Sequence, residues 1–167
     1  MIWKLTTAKP FLVGTTLYRG IGPWLMDNQQ AGSVISQGEP VGLEAYQHEV
    51  LDASQDWNGK TILVMRGGGY GDVLLSVPTL RELKYRWPDC KIIYSTHRKF
   101  RCLLDGLAYV DDIAPYPIPV GDFPHDALVW LGGVIEDNPR ANEIHACDVI
   151  AERAGIEIED YSIDLPV

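Results

Sequence analysis

Thr61-Ile62-Leu63-Val64-Met65-Arg66-Gly67-Gly68-Gly69-Tyr70-Gly71-Asp72-Val73 is the stretch on which the fold turns. Its first five residues form an unbroken apolar run, the pattern of a strand buried on both faces. Four of the five residues from Gly67 to Gly71 are glycines, which reads as a loop able to take positive φ and to let backbone approach a ligand closely. From Val73 to Trp87 the residues Val73, Val77, Leu80, Leu83 and Trp87 fall on one helical stripe. Pro78 removes a hydrogen bond early in that helix and predicts a kink, and Pro88 ends it.

The same alternation continues downstream. Residues 91–95 read as a second strand, 98–107 as a short helix, 110–114 as a strand, 126–131 as a fourth apolar strand, and 143–154 as a helix stopped by Gly155. Strand and helix in alternation predict an α/β, Rossmann-like parallel sheet with helices on both faces, spanning residues 59–167.

Residues 1–58 read differently, as a small N-terminal β-plus-helix extension. Phe11-Leu12-Val13 and residues 15–18 predict short strands broken by Gly14 and Gly20. Asp27 predicts a helix cap, with Gln30 completing a capping box. That helix runs to about Gln37, stops at the left-handed residue Gly38, and takes apolar contacts from Met26, Val34 and Ile35. Residues 44–54 suggest a second helix. The extension has too few large apolar residues to predict a core of its own.

Composition narrows the function classes. The chain has 167 residues and a net charge of −9, which fits one ordinary domain and disfavours general nucleic-acid binding, since counterion release needs clustered cations. No run of about 18 apolar residues predicts a membrane span, and the N-terminus lacks the pattern of a signal peptide. Cys90, Cys102 and Cys147 form no CxxC, so neither a zinc cluster nor a disulfide framework is expected, and a reducing, cytoplasmic setting is the default. Cys102 and Cys147 fall at helix-core spacing and read as buried thiols. His97, His125 and His145 lack ligand spacing, so no metal is expected, nor any cofactor; His145 reads as a structural hydrogen bonder. Trp3, Trp24, Trp57 and Trp87 are core or interface candidates.

The glycine loop carries the chemistry. A helix start behind Gly67, Gly68, Gly69, Tyr70 and Gly71 directs free N–H groups at the loop, and phosphate is the first candidate ligand. The loop is not a P-loop, because no Gly-Lys-Ser/Thr follows, and it does not give GxGxxG. Asp72 has two readings: an N-cap, or a catalytic base at the carboxyl end of the first strand, where open α/β sheets hold ligands.

Residues 62–92, with Leu104-Asp105-Gly106, Tyr109-Val110-Asp111-Asp112-Ile113 and the helix from His145 to Gly155, resemble the N-terminal half of the heptosyltransferases, the ADP-heptose:lipopolysaccharide glycosyltransferases of the GT-B fold. The resemblance covers about residues 60–156. It implies an acceptor-binding half-domain in which Asp72 corresponds to the proposed general base, while the donor nucleotide is held by a C-terminal half. This chain ends at Asp164-Leu165-Pro166-Val167, about where the linker would begin, so a domain inactive alone is expected, with the donor half supplied by another chain. Residues 1–58 fall outside the family pattern.

Arg81, Lys84, Arg86, Lys91, Arg98, Lys99 and Arg101 are seven of the fourteen cationic residues, within 21 positions. A solvated helix face explains them; so does a site for an anionic glycan acceptor, with Arg98, Lys99 and Arg101 best placed to share a cleft with Asp72. Two further functions fit the same residues: a noncatalytic binding module, and a structural or assembly protein reusing the fold. Residues 17–38 loosely resemble short modules of bacteriophage virion proteins, which makes the virion the alternative location.

Overall fold

Short β-branched and aromatic segments near the N-terminus pair with one another, and the longer apolar runs after residue 60 pair separately. The computed structural model describes residues 2–6, 11–13, 16–18, 22–37, 42–46, 50–119 and 121–166. The chain divides into two compact units, Met1–His48 with Pro117–Phe123, and Glu49–Tyr116 with Pro124–Val167.

The first unit contains β1 (Trp3–Thr6), β2 (Phe11–Val13), β3 (Thr16–Tyr18), β4 (Trp24–Met26), helix α1 (Asn28–Ser36) and β5 (Gly42–Ala45). β1 is the central strand of an antiparallel sheet in the order β4-β1-β5, and β2 and β3 form a separate antiparallel pair. Lys4 stands opposite Glu44, and the two side chains form an ion pair of 2.6 Å. The strand at Gly42–Ala45 replaces the helix expected over residues 44–54: four residues facing β1 gain ladder hydrogen bonds that local propensity does not reveal. Leu5, Tyr18, Trp24, Met26 and Val34 close a small core, so this unit buries more than its composition predicts.

Helix α1 follows its sequence signals. Gln30 N–H donates to Asp27 Oδ1 at 2.8 Å, and Asp27 N–H donates to Gln30 Oε1 at 3.1 Å. Val34 is buried as expected, but Ile35 is 57% exposed because it lies off the packed face. The expected stops and breaks at Gly14, Gly20 and Gly38 lie outside the described residues.

The second unit contains β6 (Thr61–Met65), α2 (Tyr70–Leu75), α3 (Val77–Arg86), β7 (Lys91–Thr96), a 3₁₀ helix (Arg98–Leu103), β8 (Asp112–Pro115), β9 (Ala127–Trp130) and α4 (Ala146–Arg153). All pairings are parallel, in the order β8-β7-β6-β9. Ile62 lies between Ile92 and Ala127, and Val64 between Tyr94 and Val129. This is the expected fold class: a Rossmann-like parallel sheet flanked by helices, with an N-terminal antiparallel strand region.

Pro78 does more than kink a helix. Ser76 ends α2 and begins α3, and Pro78 falls in the first turn of α3, where its missing N–H has no intrahelical partner to lose. Val73, Val77, Leu80, Leu83 and Trp87 are all buried, as their spacing predicts. Leu51 and Trp57 belong to the same core, and the Trp57 indole N–H donates to the Asp52 carbonyl at 2.8 Å. The helix expected over residues 98–107 is a six-residue 3₁₀ segment, which leaves Cys102 exposed; Cys147 is buried. His145 caps α4, with Nδ1 accepting from Cys147 N–H at 3.2 Å. Among the described residues no helix is long and apolar enough to cross a membrane.

The capping box gives a direct test. Asp27→Ala should cost about 1 kcal/mol and accelerate hydrogen exchange in α1, whereas Asp27→Asn should cost less, because its amide oxygen still accepts from Gln30 N–H. Equal exchange in the two variants contradicts the cap assignment.

Candidate functional site

The first residue after β6 is an arginine, and the fold buries it: Arg66 is 2% exposed. Its peptide N–H donates to the Ser95 carbonyl at 3.0 Å, while Leu131 N–H donates to the Met65 carbonyl at 2.9 Å. The end of β6 is therefore held from both sides. β7 and β9 flank β6, so the strand order reverses here, and this is the crevice in which open α/β sheets bind ligands. The Arg66 guanidinium occupies it. Nη1 donates to the Leu131 carbonyl, and Nη2 lies 2.5 Å from Asp72 Oδ1. The Glu136 carboxylate stands 3.9 Å away, and Nε has no partner among the described residues.

Asp72 is the third residue of α2, not its N-cap; Gly69 holds that place. Asp72 Oδ2 accepts from Gly69 N–H at 2.6 Å. One oxygen thus closes the loop onto the helix, and the other pairs with Arg66. Each oxygen keeps a lone pair free, and the side chain is 28% exposed. Asp72 is a carboxylate held in one orientation with part of its edge open. A phosphate at this end of α2 would face that carboxylate and be repelled by it.

The glycines serve space rather than dihedral freedom. None of Gly67, Gly68, Gly69 and Gly71 has a positive φ, contrary to the expectation from their density. A Cβ on Gly67 would lie 2.6 Å from the Tyr116 ring, and one on Gly68 would lie 2.2 Å from Asp72 Oδ2. The loop must be bare at these two positions for Tyr116 and Asp72 to approach. At Gly71 a Cβ would meet nothing within 4 Å, so no packing reason explains that glycine.

Aromatic rings line the other side of the loop. Tyr70, 54% exposed, meets Phe100 edge-on at 4.6 Å. His97 meets Tyr116 at 5.1 Å and Phe100 at 6.0 Å, both edge-on. Desolvation pushes the His97 pKa down, Lys99 adds to that, and a hydrogen bond with the Gly67 backbone opposes it. Beneath the loop the Ser76 and Tyr94 hydroxyls share a hydrogen bond of 2.8 Å in a fully buried setting.

The basic cluster divides by role. Arg81 binds the C-terminal segment through Asp160 and Asp164 and the Ser162 carbonyl. Lys84 bridges the Cys90 carbonyl and Asp111, whose carboxylate also accepts from Ile92 N–H at 2.7 Å. Arg86 donates to the Ala53 carbonyl. These three act as structural ties rather than a solvated face. Lys91 is exposed at the start of β7. Lys99 covers the Phe100 ring at 4.7 Å. Arg98 and Arg101 line a cleft of about 420 Å³ with Thr96, Ile113, Ala114 and Pro115. No residue of the glycine loop lines it, and the cation on Asp72 is Arg66. Arg66 is the member of the site that the sequence reading left out; the available signal was a charge set directly against a wholly apolar strand. Among the described residues no group of three His, Cys, Asp or Glu side chains could hold a metal ion.

The arrangement belongs to a fold class seen in glycosyltransferases. The structure of TibC, a bacterial iron-containing dodecameric glycosyltransferase from enterotoxigenic E. coli H10407, matches with a TM-score of 0.50, covering 99% of this chain and 44% of that one at 10% identity. This likeness concerns the fold. A glycosyl transferase of family 9 from Veillonella parvula DSM 2008 aligns over 36% of this chain and 18% of its own at 24% identity, with a TM-score of 0.35. The chain spans less than half the length of either protein. No protein-family model and no curated protein sequence matches it.

Two predictions follow from the loop geometry. Asp72→Ala should cost about 3 kcal/mol, because it strands a buried guanidinium. In a double-mutant cycle with Arg66→Met, the second substitution should cost much less than it does alone; additive losses in chemical denaturation contradict the coupling. His97, its pKa depressed below 6.5, favours the fold when neutral. Its contribution is fully present above pH 6.5 and is lost as pH falls through the folded value. An NMR titration of its ring protons should place the midpoint below 6.5.

Proposed function

We propose that the second unit is the acceptor-side half of a glycosyltransferase-like protein, with Asp72 as the base that receives a proton from a sugar hydroxyl. The observation that carries this reading is the Arg66–Asp72 pair at the strand-order reversal, a partly open carboxylate held by a buried guanidinium. In the proposed step the acceptor oxygen bonds to the donor's anomeric carbon. The bond from that carbon to the nucleotide's phosphate breaks, the leaving diphosphate takes its electron pair, and the hydroxyl proton passes to Asp72. The paired guanidinium holds the carboxylate in one orientation, with part of its edge open. The donor nucleotide would be held by another domain or chain. The likeness of fold to TibC supports the architecture, and the resemblance of residues 62–92 to heptosyltransferases supports the role of Asp72.

A second reading has its own support. Both Asp72 oxygens already accept a hydrogen bond, one from Arg66 and one from Gly69 N–H, as a purely structural clasp requires. In that reading the domain binds or assembles without catalysis.

Glycosyl transfer from a nucleotide sugar to an anionic oligosaccharide, assayed with the chain as isolated from its source, separates the two. If Asp72 is the base, Asp72→Asn lowers turnover by about 10²-fold or more while acceptor binding, followed through the amide signals of residues 67–71, persists. Full turnover in folded Asp72→Asn removes the catalytic role and leaves the clasp.

A further inference from the structure

A chain of net charge −9 repels anions, so a place where cations face a cavity unneutralised needs an explanation. The cleft at the carboxyl end of β7 is such a place. Its walls are Thr96, the last residue of β7, then Arg98 and Arg101 from the 3₁₀ helix, and Ile113, Ala114 and Pro115 from β8. Its volume, about 420 Å³, suits a small organic molecule.

Three features bear on what would fill it. Arg98 makes no hydrogen bond or ion pair among the described residues, unlike Arg81 and Arg86. Arg101 has only a loose, exposed contact with Asp105 at 3.7 Å, which is worth little in water. Thr96 is 1% exposed, and its hydroxyl has no partner among the described residues. A buried hydroxyl left unsatisfied is costly, and this one belongs to a residue that lines the cleft. Guanidinium groups match the oxygens of phosphates and carboxylates in paired hydrogen bonds. Ile113 and Pro115 add an apolar wall that a bare inorganic ion would not use.

We infer that the cleft formed by Thr96, Arg98, Arg101, Ile113 and Pro115 binds a small organic phosphate, its phosphoryl oxygens on the two guanidinium groups and its body against β8. This site is distinct from the Asp72 loop and does not rest on the transfer chemistry proposed there. It would hold a phosphorylated part of a larger glycan or a free sugar phosphate equally, since both present the same head group.

The test is titration of the full chain with glucose 6-phosphate, glucose and inorganic phosphate at low salt, followed by backbone amide NMR and calorimetry. Glucose 6-phosphate is expected to shift the amides of residues 96–101 and 113–114, to bind at least about tenfold more tightly than inorganic phosphate, and to leave glucose without effect. A glycan carrying a phosphorylated sugar, added in a second arm, should compete if the larger molecule is the source and should fail to compete if only the free sugar phosphate fits. Arg98→Gln with Arg101→Gln should abolish the response; both side chains are exposed, so folding is expected to persist. Thr96→Val, which keeps the shape, should weaken binding, and Asp72→Asn should leave it unchanged. Shifts centred on residues 67–72, equal binding of inorganic phosphate, or a response that survives the double arginine variant would each overturn the inference. Loss of transfer in Asp72→Asn without phosphate binding at the cleft overturns this inference alone, whereas phosphate binding with full transfer in Asp72→Asn removes the role of Asp72 alone.

Discussion

A guanidinium taken out of water must find acceptors, and Arg66 finds them on two separate parts of the second unit. Through Leu131 it ties the end of β9 to the end of β6, and through Asp72 it ties the glycine loop to both. Breaking one side leaves a charge with nowhere to go, so the loop, the strand ends and the start of α2 are coupled. The same bond determines what Asp72 can be. Its carboxylate is turned to one orientation by Arg66 and Gly69 N–H, and only its remaining lone pairs face outward.

The bare loop follows from this constraint. Asp72 can fold back to the Gly69 amide only if Gly68 carries no side chain, and Tyr116 can lie over the loop only if Gly67 carries none. These glycines are thus consequences of close approach, which explains why they adopt ordinary backbone angles despite their density. The helix behind them is short because a new one, with Pro78 in its first turn, starts at Val77, so the loop's polar partner comes from Asp72 rather than from a long helix terminus.

The cationic residues illustrate how a one-dimensional cluster separates in space. Arg81, Lys84 and Arg86 lie on one helix and reach the C-terminal segment, the start of β7 and the Ala53 carbonyl, where each satisfies fixed acceptors. Arg98 and Arg101, on the 3₁₀ segment, are left facing a cavity instead. Linear proximity suggested one site; the direction of each side chain makes several.

The sequence alone determined the elements whose signals are local: the apolar run of β6, the buried stripe from Val73 to Trp87, the capping box at Asp27 and Gln30, and the order of strands and helices that implies a parallel sheet. It also marked Asp72 as the residue to watch. It could not reveal β1, β4 and β5, whose three or four residues become strands only by pairing with distant segments. Nor could it show that Arg66 is buried. Asp72 is only six residues from it, but the second acceptor of the guanidinium is the Leu131 carbonyl, 65 residues away, which is in reach only because β9 lies beside β6. Local propensity and periodicity are written along the chain, whereas a buried charge chooses its partners only once the strands are in place.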